Sequence, residues 1–180
     1  MSAYMNVYDY TPDLLGQITK DIGVGERELI VQIIGLFAEA GLPVKVKHLF
    51  PQTPNAYFRV LCHIKKSAEA VIINTRNDLG KEGVVDGVHF QLRITNKNTL
   101  EHLEVLSLSV RDQIVNANDC RFCSEKCNGK RYVFSFDGTT YTKCQYLCSN
   151  FRITVKDDAD AESVLAIIRG ELESRKLPKK

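Results

Sequence analysis

The run CRFCSEKCNGKRYVFSFDGTTYTKCQYLC, residues 120–148, is the most informative part of this chain. It contains five of the six cysteines in the sequence: Cys120, Cys123, Cys127, Cys144 and Cys148. Closely spaced thiolates are typical of zinc sites in which four ligands surround the ion in a tetrahedron. The run therefore predicts a metal knuckle, with zinc as the metal and four of these five cysteines as its ligands.

Asp137-Gly138 predicts a tight two-residue hairpin turn, because both residues tolerate a positive φ. Such a turn fixes the register of the flanking strands, so the predicted opposing pairs are Phe136 and Thr139, Phe134 and Tyr141, and Arg131 and Cys144. The register brings Cys144 beside the loop that carries the first three cysteines. Cys148 reaches the same ion only if the chain turns back after Cys144, so it is the substitute fourth ligand.

Two other cysteine chemistries compete with zinc. A disulfide cluster needs an oxidising compartment, yet the first ten residues lack the basic flank and apolar core of a secretory signal. A reducing cytoplasm is the expected location, and clustered cysteines there more often hold metal. An iron–sulfur cluster also takes four thiolates, but the run lacks the Cys-Pro ending of bacterial ferredoxins. A four-thiolate zinc site is closed to water, so its predicted role is structural. Exchange of Cys144 for Cys148 on the metal would add a redox or sensor role.

Cations surround the predicted knuckle. The residues that could contact nucleic acid or phosphate are Arg121, Lys126, Lys130, Arg131 and Lys143. Together with Phe122 they would suit a single-stranded nucleic acid. We favour the simpler interpretation that they balance the charge of a four-thiolate zinc centre. The net charge of +2 gives no further support for a nucleic-acid partner.

Length and composition predict a single α+β domain over residues 1–180, with residues 118–150 as a zinc-knuckle and hairpin subregion. The chain has 180 residues, of which 44% are hydrophobic and 26% charged, as in ordinary packed proteins. Its apolar runs are too short to span a membrane, so no membrane partner is expected.

Hydrophobic periodicity predicts an antiparallel sheet with helices packed on one face. Helices are expected from Pro12 to about Asp21, with Gly23 as the stop, from Glu26 to Gly41, and from Asp158 or Asp160 onward. A third helix beginning at the Asn98 capping box would run unbroken to Cys120, with its core face formed by Leu100, Leu103, Leu106, Val110 and Ile114. Strands are expected at residues 57–64, 70–75, 88–94, 130–136, 139–144 and 151–155.

No catalytic motif is readable, so whether the protein is an enzyme stays open. Cys62 and His63 are adjacent on a predicted strand and would point to opposite faces, so they cannot act as nucleophile and base. The other histidines, His48, His89 and His102, stand alone in the sequence. Residues 77–87 hold three glycines but lack the spacing and the Gly-Lys-Ser/Thr of a phosphate-binding loop, and we predict a mobile loop there.

The Cys-x-x-Cys-x-x-x-Cys run and the following Gly129-Lys-Arg-Tyr-Val-Phe-Ser-Phe-Asp-Gly-Thr-Thr-Tyr-Thr-Lys-Cys144 resemble the C-terminal part of small uncharacterised bacterial proteins. In those proteins a Cys-rich loop precedes a Phe-x-Phe-x-Gly-x-x-Tyr-x-x-Cys hairpin and a closing helix. The resemblance covers the last third of the chain. It implies an intracellular bacterial α+β protein and carries no activity with it.

The functional prediction is a binding or interaction module with a structural four-Cys zinc site. Its ligand, an unknown small molecule or protein, would lie on the open sheet face or beside residues 77–87. The first alternative is a nucleic-acid-binding or regulatory protein that uses the basic knuckle. The second alternative is an enzyme with a pocket on the sheet face.

Overall fold

The computed structural model describes residues 5–51, 56–65, 68–78, 84–94, 97–117, 131–144 and 150–176. The chain divides into two compact units, Met1–Phe90 and Gln91–Lys180. The described residues form an α+β fold with a mostly antiparallel sheet. The predicted fold class is confirmed at this level.

The elements follow each other as β1 (Met5–Asp9), α1 (Pro12–Ile18), α2 (Val24–Glu39), β2 (Val44–Leu49), β3 (Tyr57–Lys65), β4 (Ala68–Asp78), β5 (Val84–Arg93), α3 (Lys97–Glu101), α4 (Leu108–Val115), β6 (Arg131–Phe136), β7 (Thr139–Cys144), β8 (Asn150–Ile153) and α5 (Asp158–Lys176). A six-stranded sheet has the order β1-β2-β3-β4-β5-β8, and β6 and β7 form a separate two-stranded sheet. Within the described ranges, no helix has both the length and the apolar character needed to cross a membrane.

The first two helices begin and end largely where turn chemistry predicts. Thr11 is the N-cap of α1, and Pro12 occupies its first turn, where a missing N–H costs nothing. Gly23 proves to be the N-cap of α2 rather than the residue that stops α1, which already ends at Ile18. Gly41 follows α2 with a φ of 65°, a conformation that glycine adopts without a steric penalty.

Alternation across β2, β3 and β4 produces one largely apolar sheet face. Val46, Val60 and Ile73 are paired in register and each is 0% exposed. The five buried residues of α2 pack in the same core, and this helix contacts β2 and β3; they are Leu29, Ile30, Ile33, Ile34 and Phe37. Burial of each such side chain stabilises the fold by about 1.5–3 kcal/mol. The packing of α2 on this face therefore contributes to the stability of the first unit.

The strands are more numerous than the periodicity predicts, and β4 and β5 are longer. β1 and β2 were not predicted, because β1 is exposed along its whole length and β2 carries polar residues at alternate positions. β4 continues to Asp78 and β5 begins at Val84. The predicted loop over residues 77–87 is therefore wrong at both ends, and its centre, 79–83, lies outside the described residues.

The predicted third helix is broken in the second unit. After α3 comes a short 3-10 turn, Leu103–Val105, and α4 then starts afresh. Ser107 begins α4: it has a non-helical conformation and its side chain accepts a hydrogen bond from the Val110 amide as an N-cap. The predicted core residues are nevertheless all buried, because the broken segment keeps the same side facing inward.

A buried carboxylate joins the beginnings of α4 and α5. Asp160, 0% exposed, accepts hydrogen bonds from the Ser107 hydroxyl (2.5 Å) and the Lys156 amide (3.0 Å). The hydroxyl of Ser163 accepts from the Ser107 amide at 2.8 Å. Asp157, rather than Asp158 or Asp160, caps α5, since its carboxylate accepts from the Asp160 amide. Asp160 is thus a packed structural group and not a cap.

Gln113 links α4 to the chain that leaves β8. Its side-chain amide donates to the Thr154 carbonyl at 3.0 Å and accepts from the Thr154 amide at 2.8 Å. The side chain therefore pairs with the backbone as a neighbouring strand would, and it fixes α4 against this end of β8.

Replacing Asp160 by Ala should destabilise the protein by about 2–4 kcal/mol, because the Ser107 hydroxyl and the Lys156 amide lose their acceptor in a buried setting. Urea unfolding followed by circular dichroism measures the change. The matched control is Asp158→Ala, an exposed residue in the same turn of α5, which should cost about 0.3–1 kcal/mol. Equal losses of stability in the two variants would contradict a stabilising role for the hydrogen bonds to Asp160.

Candidate functional site

The hairpin of β6 and β7 has the predicted turn and register. Asp137 and Gly138 have φ values of 49° and 71°, as a type I′ turn requires. The pairs are those expected from the sequence, with Phe134 opposite Tyr141 and Arg131 opposite Cys144. The rings of Phe134 and Tyr141 stack with centroids 5.5 Å apart. This part of the prediction is confirmed.

A hydrogen bond ties the hairpin to the end of α4. The ammonium of Lys143 donates to the carbonyl of Ala117 at 2.6 Å. Ala117, which precedes residues 118–130, is therefore bonded to Lys143, and Arg131, which follows them, pairs with Cys144. Both ends of this segment are fixed beside the last two residues of β7.

Most of the predicted metal and phosphate ligands cannot be placed. Four of the cysteines and three of the cations lie outside the described residues: Cys120, Cys123, Cys127, Cys148, Arg121, Lys126 and Lys130. Of Cys144 only the backbone is described. Of the predicted basic contacts, Arg131 is exposed and Lys143 is half-buried. Within the described ranges no three His, Cys, Asp or Glu side chains come together as metal ligands. The four-Cys site therefore stays a prediction.

Cys62 and His63 are both buried. Cys62 is 0% exposed, and burial raises the pKa of its thiol well above the ordinary value, so it is a core residue as predicted. The pairing of β3 with β4 shifts register at His63, which marks a bulge. His63 is 7% exposed, and neither of its ring nitrogens is hydrogen-bonded to a described residue.

The three isolated histidines have different surroundings. His48 stacks on Phe58 with ring centroids 4.3 Å apart, and partial burial lowers its pKa. His102 is exposed and contacts the Glu104 carboxylate at 3.1 Å. His89 is 5% exposed and belongs to a polar cluster on the sheet.

The face of the sheet opposite the apolar core carries the main polar cluster of the described residues. Paired residues of antiparallel strands project to the same side, and Lys47 pairs with Arg59, which pairs with Asn74. Lys45 and Tyr57 lie on this side two residues away along their strands. Leu61, which is 3% exposed, and Ile72 lie on the same side beside Lys45. We call the polar residues of this side the polar sheet face: Lys45, Lys47, Tyr57, Arg59, Asn74 and His89.

A chain of hydrogen bonds orients the arginine of the polar sheet face. The Nε of Arg59 donates to Asn74 Oδ1 at 2.6 Å, and its Nη2 donates to the Tyr57 hydroxyl at 3.3 Å. Because Oδ1 accepts, the Nδ2 of Asn74 is the atom that donates to His89 Nε2, at 3.2 Å. Nε2 of His89 is therefore the acceptor in this contact. Asn74 is 1% exposed, so the guanidinium has a rigid support.

The cations of the polar sheet face are not neutralised by carboxylates in the described part of the chain. No ion pair involves Lys45, Lys47 or Arg59 there. Asp9, an acidic residue of the edge strand, pairs in register with Lys45 and forms no ion pair with it. Arg59 and Lys47 are half-buried and Lys45 is exposed. Positive charge is thus accessible at the β2 side of this face, whereas Tyr57, Asn74 and His89 are buried.

Sequence reasoning missed this cluster, although it left a signal. Arg59 and Asn74 interrupt strands that otherwise read as strongly apolar, and a polar residue there needs a buried partner. The signal could not identify the partners, because Asn74 and His89 meet only once β4 and β5 lie side by side.

A shallow depression of about 380 Å³ lies on the outer side of α2. Its lining residues are Val24, Arg27, Glu28, Val31 and Gln32. All five belong to one helix, so this depression is not the sheet-face pocket that the enzyme alternative requires.

Asn74→Leu should destabilise the protein by about 2–3 kcal/mol, because it removes the acceptor of Arg59 and the donor of His89 while keeping the volume similar. Thermal and urea unfolding measure the effect. Asn6→Ala, an exposed residue of β1, is the control and should change stability by less than about 0.5 kcal/mol. A neutral Asn74→Leu would show that the hydrogen bonds do not support the arginine.

Comparison of the chain with protein-family models, curated proteins and solved structures finds no match. The resemblance of residues 120–144 to bacterial Cys-rich hairpin proteins accordingly stays a prediction. The chain itself offers two features that bear on function: the contacts of Ala117 and Arg131 with β7 on either side of the cysteine segment, and the polar sheet face.

Proposed function

We propose that this protein is a binding module whose residues 118–150 are braced by a structural zinc ion. Four of Cys120, Cys123, Cys127, Cys144 and Cys148 hold the metal. Helix α2 contacts the sheet at β2 and β3, and the ligand would bind on the side that carries Lys45 and Lys47, where Lys45 is exposed and Lys47 half-buried. The proposal includes no catalytic step, because the described residues present no paired nucleophile and base.

The observation that supports zinc is that the residues flanking the cysteine segment, Ala117 and Arg131, both contact β7. The start of the segment is held by the bond from Lys143 to Ala117, and its end by the pairing of Arg131 with Cys144. Opposing residues of antiparallel strands lie about 4.5–5.5 Å apart at Cα. Three cysteines within a segment closed in this way stay within reach of the strand that ends at Cys144.

The donor set fits zinc chemically. Four thiolates at about 2.3 Å complete the tetrahedron of zinc and leave no position for water, which suits a structural role. Such a centre carries a double negative charge, and the cations Arg131 and Lys143 flank Cys144 on the paired strands. A small subregion of this kind has little apolar core, so metal binding would supply much of its folding free energy.

The purified protein should contain about one zinc ion per chain, measured by inductively coupled plasma mass spectrometry. Removal by a chelator should lower the melting temperature, because binding free energy is lost from the folded state. Cys120→Ser, Cys123→Ser and Cys127→Ser should each lose metal. Only one of the two variants Cys144→Ser and Cys148→Ser should lose the metal, and that variant identifies the fourth ligand.

Cys62→Ser is the control for these variants, because Cys62 is buried in the core of the first unit and should not affect zinc content. A metal-free protein as purified under reducing, chelator-free conditions would contradict the proposal. Detection of disulfides among these cysteines by mass spectrometry would contradict it as well.

Lys143→Gln should weaken zinc binding without abolishing it, since the bond to Ala117 that fixes the start of the segment is lost. Competition with a chromophoric chelator measures the affinity, and we expect a loss of about 10-fold, typical of groups that orient metal ligands. Arg131→Gln removes the same charge from the same hairpin and should have a smaller effect. Equal losses would indicate that charge, rather than the bond to Ala117, sets the affinity.

The alternative of nucleic-acid binding by the basic knuckle is weakened at one position. The ammonium of Lys143 is already a donor to Ala117, so it is poorly placed for phosphate. Arg131 is exposed and remains available for such a contact.

A further inference from the structure

We infer that the polar sheet face binds single-stranded nucleic acid, with Lys45, Lys47 and Arg59 contacting phosphates. This inference builds on the proposed binding function and names the partner of its sheet face. Its test measures oligonucleotide affinity rather than zinc content, so the two proposals can fail separately.

The three cations form a compact cluster. Lys45 and Lys47 are two residues apart on β2, which places their Cα atoms about 6.8 Å apart on the same side. Arg59 pairs with Lys47 across the strands, about 4.5–5.5 Å away at Cα. Three positive charges at such spacings suit a ligand that carries several phosphates in succession.

The cluster keeps its charge available. In the described residues no carboxylate makes an ion pair with these three cations. Asp9 pairs in register with Lys45 but forms no ion pair with it. Positive charge that is left without an acidic partner on one side of a sheet attracts a polyanion.

Arg59 is oriented before any ligand arrives. Nε and Nη2 of its guanidinium are engaged by Asn74 and Tyr57, and the group is half-buried. A planar guanidinium held in one position loses little conformational entropy when it binds a phosphate oxygen. This preorganisation distinguishes the cluster from scattered surface lysines.

An exposed aliphatic strip adjoins the cations. Val7 pairs with Lys47 and is 50% exposed, and Met5, two residues away on the same side, is 39% exposed. Tyr57, in contrast, is 3% exposed and offers no ring surface for stacking. A ligand on this face therefore meets charge over β2 and β3 and an apolar surface over β1.

This combination favours a single strand over other polyanions. An unpaired strand offers both phosphates and the apolar faces of its bases, whereas a duplex buries its base faces. Inorganic polyphosphate offers charge alone and gains nothing from Val7 and Met5. Because Lys45 and Val7 are exposed at the margin of the cluster, the strand can extend beyond it.

Fluorescence anisotropy of the full-length protein with a fluorescein-labelled 20-nucleotide oligo-dT, at several potassium chloride concentrations, tests the inference. Counterion release from a single strand contributes about 0.7 per neutralised phosphate to the slope of log K against log salt, so three contacts give a slope near −2. The double variant Lys45→Gln with Lys47→Gln should bind about 25-fold more weakly at 0.1 M salt, with a slope near −0.7.

The matched control removes two exposed lysines elsewhere, Lys20→Gln with Lys156→Gln, and keeps the same net charge as the test variant. Its affinity should stay within about twofold of the unmodified protein. Val7→Ser should weaken oligo-dT binding by a few fold without changing the salt slope. Unlabelled duplex and polyphosphate should compete less well than unlabelled oligo-dT.

Several results would overturn the inference: no salt-dependent binding, equal losses in the test and control variants, or polyphosphate competing as well as oligo-dT. Loss of affinity in Lys126→Gln with Lys130→Gln, but not in the sheet-face variant, would assign the phosphate contacts to the basic knuckle instead. Thermal melting of each variant separates loss of contacts from loss of folding.

Discussion

The register in which β2, β3 and β4 pair is the constraint on which the first unit depends. It aligns Val46, Val60 and Ile73 on the side of α2, and the same pairing sends Lys47, Arg59 and Asn74 to the opposite side. A slip of one residue would exchange the two sets, burying a guanidinium against the helix. The apolar core therefore specifies the polar sheet face, and a mutation that loosens one also disturbs the other.

Buried polar groups fix the positions of two helices in the second unit. Asp160 lies at 0% exposure between the beginnings of two helices, and each of its oxygens accepts a hydrogen bond. A buried carboxylate is costly unless it is satisfied in this way, and its benefit is geometric, because it fixes where α4 and α5 begin. With Lys143 fixed on Ala117, α4 has defined polar contacts at both of its ends.

Sequence patterns predicted most of the elements that are governed by local chemistry. The type I′ turn at Asp137-Gly138 determined the register of the hairpin, and the apolar spacing of α2 identified its buried side. Patterns failed where a distant contact overrode local preference. Ser107 begins a new helix instead of lying inside a continuous one, and Asp160 and Ser163, more than fifty residues away, accept hydrogen bonds from its hydroxyl and amide. The pairing of Asn74 with His89 depends likewise on the order of the strands, which no local signal specifies.

The pairing of Gln113 with Thr154 has a consequence for which residues the position accepts. A side-chain amide imitates a peptide group because it presents an N–H donor beside a carbonyl acceptor, and Thr154 pairs with both. Glutamate has nearly the same shape but only acceptors, so its second oxygen would face the Thr154 carbonyl with like polarity. Spontaneous deamidation, which replaces the side-chain nitrogen by oxygen, would turn this attraction into a repulsion. Deamidation of Gln113 would therefore loosen α4 from the chain that leaves β8.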